Sequence, residues 1–275
     1  MQEIFVTKSS GEKEPFSEEK VLLAMGKVGV PDSLRPQVLS HVKQGLHPNI
    51  KTSDIFNHIT EYLRAQDIRA STRFNLKKAI FDLGPTGFPF EKYVARIFES
   101  LGYKTQVDTI LEGECVSHEV DLIIEKENNK EIAEVKFHNH HGSKTDVQVA
   151  LYSYARFLDL SKIHKISGLW IVTNTKLSQD AITYAKCKNV KVIAWNYPQN
   201  NNLQQLIEKP CLYPITILSS LSSKEKQELL DAGIVLCSDL LSNPLVRQII
   251  PDHNHWQNVQ QEAQVVWPLS SNRAI

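Results

Sequence analysis

Asp121 stands thirteen residues ahead of Glu134-Val135-Lys136, and each end of this spacing lies in a short apolar stretch, 120–124 and 132–137. Side chains on a strand alternate between faces, so Ala133, Val135 and Phe137 point into a core while Glu134 and Lys136 share the other face. Pairing the two stretches as a hairpin brings the Asp121 carboxylate toward Glu134. Two hard oxygen donors, with room for the Val135 backbone carbonyl and for waters, suit Mg²⁺ or Mn²⁺. Lys136 beside that cation can hold a nucleophilic water or balance charge on a pentavalent phosphate. This is the chemistry of phosphodiester hydrolysis.

Histidines crowd the exit of this hairpin. His138, His140 and His141 follow Lys136, and His118 lies three residues before Asp121. A zinc centre is one reading; a polar loop in which His118 or His138 contacts a phosphate is another. Lys144 follows as a candidate contact to a nucleic-acid backbone.

The elements that must carry these residues are legible in the pattern. Tyr93, Val94, Ile97, Phe98 and Leu101 repeat at helical spacing until Gly102 stops them. A strand is expected over 104–107, then a hairpin of 117–124 and 131–137 separated by six polar residues. A helix over 145–160 puts Gln148 and Tyr152 one turn apart on one face. A strand at 169–173, a helix carrying Ala181, Tyr184 and Ala185, and a strand at 190–195 complete the segment.

Helix-breaking punctuation at 84–89 and 196–202 divides the chain into three expected domains, 1–85, 86–197 and 198–275. The first opens with a strand at 3–7, a turn at 9–11 and a return to Phe16. Ser17 then caps a helix with an acidic first turn, and helices follow at 34–44, at 52–65 with Thr52 as cap, and at 71–83. The third reads as helices at 203–208, 224–231 and 237–241 around an Ala232-Gly233-Ile234 turn, with a tail at 251–275. The fold class is α/β: a mostly helical first domain with a β-hairpin, a central mixed sheet with flanking helices, and a small helical end.

Composition narrows the classes. The chain has 275 residues, 41% hydrophobic and 23% charged, which excludes wholesale disorder. Thirty-one basic residues balance 31 acidic ones, so any contact with nucleic acid must come from a local patch rather than a global field. No apolar run approaches the roughly 20 residues that span a bilayer, and the start MQEIFVTKSS lacks a secretory pattern, so a cytoplasmic protein without membrane contact is expected. Four cysteines without a CxxC pair read as buried reduced thiols.

Asp121 with Glu134-x-Lys136 resembles the PD-(D/E)xK nuclease superfamily and, within it, the Mrr-like type IV restriction endonucleases, over residues 86–197. Helix, β-hairpin, helix, strand, helix, strand is the order of that fold. The resemblance implies a Mg²⁺-dependent DNA endonuclease active in defence against foreign DNA. It implies a supporting role at the metal for Glu91, at the acidic helix position, and a flanking role for Gln148 and Tyr152 as a QxxxY motif.

The run VTKSSGEKEPFSEEK with IKTSDIFNHITEYL downstream resembles the ATP-cone, a nucleotide-sensing module of ribonucleotide reductases and of their transcriptional repressor, over about residues 2–83. That resemblance implies ATP or dATP as a regulatory ligand. Lys8 and Lys20 would meet the triphosphate beside a helix N-terminus, and Glu14 and Thr52 match positions that contact the nucleoside and the phosphates. The family usually has Arg where this chain has Ser9. LSSKEKQELLDAGIVLCSDLL is similar to a helix-hairpin-helix unit, whose turn can offer N–H groups to a DNA phosphate. A homo-oligomer is expected, since double-strand cleavage takes two active sites. A repair or junction-resolving nuclease shares the same Asp121…Glu134-x-Lys136 core. An ATP-sensing DNA-binding regulator with a non-catalytic nuclease fold is the non-enzyme alternative, against which the intact Asp121, Glu134 and Lys136 argue.

Overall fold

The structure, a computed structural model, describes residues 4–8, 10–140 and 142–267. Ser9, His141 and the last residues of the tail lie outside the described residues. The chain divides into two compact units, Met1–Lys77 and Lys78–Ile275, so the expected second and third segments fall in one unit.

The first unit pairs β1 (Phe5–Thr7) antiparallel with β2 (Lys13–Pro15) and continues through α1 (Glu18–Lys27) and α2 (Arg35–Gln44). Next come β3 (Ile50–Lys51), parallel to β1, then α3 (Thr52–Gln66) and the start of α4 (Ile68–Phe81). Ser17 caps α1 as expected, its Oγ accepting the Lys20 N–H at 3.2 Å. Thr52 does not cap α3: that position belongs to Lys51, and Thr52 is already the first helical residue. Val21, Met25, Val38, Val42, Ile59 and Leu63 form the buried core between these helices.

After the end of α4, the second unit has α5 (Phe88–Ser100), then β4 (Lys104–Glu112), β5 (Ser117–Lys126) and β6 (Asn129–Lys136). After β7 (Lys144–Thr145) come α6 (Val147–His164), β8 (Ile166–Thr173), β9 (Lys176–Leu177), α7 (Gln179–Cys187) and β10 (Lys191–Ile193). Five strands form one mixed sheet in the order β10-β8-β6-β5-β4; β10, β8 and β6 run parallel, β5 and β4 antiparallel. Ile132, Ala133 and Val135 are all buried because β6 is central and has both faces covered, the usual state of a parallel strand. Phe90, Tyr93, Val94, Ile97 and Phe98 are the buried side of α5, while Val149, Ala150 and Leu160 of α6 pack with Ile123, Ile132, Leu169 and Ile171.

Two expectations shift. The six-residue turn shrinks to Glu127-Asn128, both left-handed at φ 55° and 71°, which suits a two-residue hairpin. Its polar neighbours become strand rungs, Glu125↔Lys130 and Lys126↔Asn129, exposed at the sheet's end. The strand expected at 104–107 runs on to Glu112, because an edge strand tolerates the half-exposed alternation of its second half.

The remaining chain forms α8 (Leu203–Glu208), α9 (Ser223–Asp231), α10 (Cys237–Ser242), α11 (Val246–Ile249) and α12 (His253–Val266). Ser222 and Glu225 make a reciprocal capping box on α9. This region is tied to α5: Tyr93 Oη donates to the Leu212 carbonyl at 2.6 Å, and Arg96 pairs with Asp239 at 2.9 Å. The turn after α9 keeps its N–H groups to itself, Gly233 donating to the Leu230 carbonyl, Ile234 to that of Leu229 and Leu236 to the Asp239 carboxylate. They are spent, and the expected offer to a phosphate is not available there. Of the four cysteines only Cys237 is buried; Cys115 and Cys187 are exposed and Cys211 is intermediate, all as free thiols. No helix among the described residues is long and apolar enough to cross a membrane.

Candidate active site

The site forms where the sheet forks. The β5–β6 ladder ends at Leu122↔Ala133, whereas β6 continues beside β8 to Lys136↔Thr173. At the fork the Val135 N–H donates to Asp121 Oδ2 at 2.7 Å, so the carboxylate sits against the backbone between Glu134 and Lys136. On the other side the β4–β5 ladder skips one rung between Val107↔Leu122 and Thr109↔Val120. Asp108 takes a left-handed φ of 48° at that irregularity.

Charge collects at this fork. Asp121 is pushed up to about 6, by burial first and then by the neighbouring Glu134 carboxylate. Glu91, on the first turn of α5, is pushed up to about 8 by burial, by Asp121 and by Asp108, to which it is hydrogen-bonded. Gly87 makes room for it: a Cβ there would lie 3.0 Å from Glu91 Oε1. Glu119, two residues before Asp121 on β5, adds to the repulsion at both. Asp108 and Glu119 were not singled out from sequence. Alternation along β5 points to Glu119; nothing local points to Asp108, which arrives by strand pairing.

Glu134 is 8% exposed and faces α6. The Tyr152 hydroxyl donates to its Oε1, and Arg156 Nη1 pairs with its Oε2 at 2.7 Å. Burial and the Glu134 bond push the Tyr152 hydroxyl up, so it remains a donor. Arg156 was missed, although it lies one helical turn beyond Tyr152 on the same face, where the i,i+4 rule would find it. Gln148, one turn earlier, is exposed; its backbone N–H donates to the Asp146 side chain that caps α6. Lys136 is half-buried on the Glu134 face of β6.

His118 and His138 are engaged elsewhere. His118 Nε2 meets Asp159 Oδ2 at 2.7 Å, and the same carboxylate accepts the Cys115 and Val116 N–H groups, pinning the β4–β5 loop to α6. His138 Nε2 lies 2.9 Å from Thr145 Oγ1. Among the described residues no three His, Cys, Asp or Glu side chains are grouped as a metal centre.

In the first unit Lys8 and Lys20 converge on a carboxylate: each ammonium lies 2.9 Å from Glu14 Oε2. Lys8 also meets Glu12 at 3.1 Å. The Lys20 bond, followed by the Lys8 bond, holds the Glu14 carboxyl below its usual range. Thr52 is half-buried at the start of α3.

A mixed sheet forked at its carboxylates, with flanking helices, is the arrangement of a restriction-endonuclease-like fold, and residues 85–203 match the restriction endonuclease family Mrr_cat. Residues 213–266 match the C-terminal domain of AF1548-like proteins. An uncharacterized protein of Archaeoglobus fulgidus is 40% identical over 149 residues, 54% of this chain and 84% of that one. The crystal structure of AF1548, a protein of unknown function, superposes with a TM-score of 0.58 at 36% identity, over 66% of this chain and 98% of that one. The chain belongs to the AF1548-like family. Can2 from Sulfobacillus thermosulfidooxidans, in complex with cyclic tetra-adenylate, is 14% identical with a TM-score of 0.34 over 73% of this chain and 64% of that one, too distant to bear on fold or function.

Proposed function

We propose that the second unit is a divalent-metal-dependent endonuclease that hydrolyses DNA phosphodiester bonds at the β5–β6 fork. The observation that carries this reading is the unbalanced charge there: Glu91 and Asp121 are both raised by burial and by like-charged neighbours. Strongly shifted carboxylates in such a setting mark working sites more than structural ones. The donor set fits a hard cation, because Asp121, Glu134 and the Val135 carbonyl offer oxygen only. Such a cation, when bound, would neutralise the carboxylates and polarise a phosphoryl oxygen.

The chain's own residues do the rest. Asp121 and Glu134 hold the cation. Lys136, on the Glu134 face, orients the attacking water and balances charge on the phosphate. Tyr152 and Arg156 fix the Glu134 carboxylate. Glu91 supports the cluster from α5, and Gln148, a turn before Tyr152, faces solvent where a DNA strand would pass.

For the first unit the proposal is an ATP-cone that binds ATP or dATP and regulates cutting. A hairpin leading into a capped helix, with two ammonium groups around one carboxylate, supports it. A triphosphate would take the place of Glu14 between Lys8 and Lys20, leaving Glu14 to contact the nucleoside, with Thr52 as a further contact. Since double-strand cleavage needs two such sites, the working form is a homo-oligomer.

The test is cleavage of modified and unmodified supercoiled plasmid with Mg²⁺, with Mn²⁺ and with EDTA, each with and without ATP and dATP. Metal-dependent linearisation that changes with nucleotide is expected. Binding without cleavage in any metal would leave a DNA-binding regulator instead.

A further inference from the structure

Beyond the fork, the chain leaves β6, loops and forms β7, which pairs parallel with β9 as a two-stranded sheet of its own. Its register sets Lys144 directly opposite Lys176. In-register neighbours on parallel strands lie roughly 4.8 Å apart and point to the same face. Both lysines are exposed, and the residues after them, Thr145 and Leu177, are buried at 1% and 8% exposure and anchor the pair from below. Neither ammonium is in an ion pair among the described residues. The acidic neighbour in sequence, Asp146, has Oδ1 committed to the Gln148 N–H at 2.9 Å. Like charges facing each other across a ladder destabilise it. Two unpaired ammonium groups held side by side are therefore an unmet demand for an anion.

Their position says which anion. Thr145 Oγ1 donates to Thr173 Oγ1 at 3.0 Å, and Thr173 is the register partner of Lys136. Thr173 is fully buried, and its Oγ1 also contacts Thr175 at 3.3 Å, so the lysine pair is linked to the end of the catalytic strand by direct contacts between buried hydroxyls. His138, two residues past Lys136, braces the same Thr145 from its other side. We propose that Lys144 and Lys176 form a clamp for the backbone of the cut DNA, gripping a phosphate next to the one that is hydrolysed. The pair reads charge and not sequence, and the mini-sheet keeps it in fixed register with Lys136. This rests on the nuclease reading of the fork.

The experiment is fluorescence anisotropy of a 30-base-pair duplex titrated at several salt concentrations in EDTA, so that binding is read without cutting. Each phosphate contact adds ~0.9 to the slope of log affinity against log salt. Lys144→Ala with Lys176→Ala is expected to lower that slope by about 1.5–2 and weaken binding on the order of tenfold at low salt, equally for unrelated sequences. Lys144→Arg with Lys176→Arg restores the slope. The control is Lys162→Ala at the far end of α6, 80% exposed and facing Glu114, about 25 Å away along the helix; its slope stays wild-type. An unchanged slope in the double alanine variant overturns the clamp even if the protein cuts. A lowered slope in a protein that never cleaves keeps the clamp and overturns the nuclease instead.

Discussion

The central strand β6 carries a buried glutamate toward each end, and the two are treated differently. Glu131, 6% exposed, accepts from Trp170 Nε1 at 2.8 Å and pairs with Lys191 at 2.6 Å. Gly168 leaves it space, since a Cβ there would lie 3.0 Å from its Cδ. That charge is balanced locally. Glu134 also has a cation, Arg156, and a donor, Tyr152, but it faces Asp121, behind which stand Glu91, Asp108 and Glu119. Arg156 and Lys136 do not offset that many carboxylates. The lower end of the strand uses a charge to hold the sheet together, and the upper end gathers more carboxyl groups than cations, raised enough to hold protons until a cation replaces them.

The sharpest way to break this contrast is substitution at the fork. Asp121→Ala and Lys136→Ala should each lower the cleavage rate by two or more orders of magnitude, with the melting temperature near wild type or, for Asp121→Ala, above it. Parental rates in either variant would remove the fork from the chemistry. Next in size are the residues that orient Glu134. Tyr152→Phe and Arg156→Met should cost ~10–100-fold in turnover, with apparent affinity for Mg²⁺ weakened alongside it; isothermal titration and single-turnover rates read both. Opposite behaviour is expected at the other end: Glu131→Ala should destabilise by about 1–3 kcal/mol, because it leaves the half-buried Trp170 N–H unmet while Lys191 keeps access to water. Turnover per folded molecule should hold, and a selective loss of turnover would erase the contrast.

The smallest effect is on pH dependence. Glu91 at about 8 and Asp121 at about 6 both titrate above their ordinary values of 4.5 and 3.8. The folded state therefore holds protons that the unfolded chain has lost, and the stability they contribute is full below about pH 4 and fades as pH rises toward 8. In EDTA the protein should melt higher at pH 5.5 than at pH 8, and Glu91→Gln should shrink that difference. A melting temperature that climbs from pH 5.5 to 8 in the wild type and the variant alike would contradict the raised values.

Strand alternation made Asp121, Glu134 and Lys136 legible, and helical spacing made Tyr152 legible. Arg156 and Glu119 obey the same two periodicities and were readable in principle. Asp108 was not, because it enters through a skipped rung on a neighbouring strand, a property of register and not of local pattern. The expected six-residue turn failed for a related reason: polar residues at 125–130 read as loop, yet solvent-facing rungs of a hairpin are equally polar. Histidines were drawn toward chemistry by their density near Lys136, whereas His118 and His138 serve as braces for a loop and a threonine. At the other end of the chain, the glycine turn after α9 looked like a phosphate cradle because sequence does not show which acceptors already hold its N–H groups.

One face of α6 holds Tyr152, Arg156 and Asp159, and through them it grips Glu134 on one strand and His118 on another. A helix advances about 100° per residue, so a single codon inserted between Tyr152 and Asp159 would swing one set of grips away while the other stayed. Insertions in the exposed loops of the unit leave both grips in place. The length of this eight-residue stretch is fixed whatever its outward-facing letters, and gene libraries built on this scaffold should vary Leu158 within it and Leu151 just before it, 50% and 46% exposed, while keeping its count and its gripping residues.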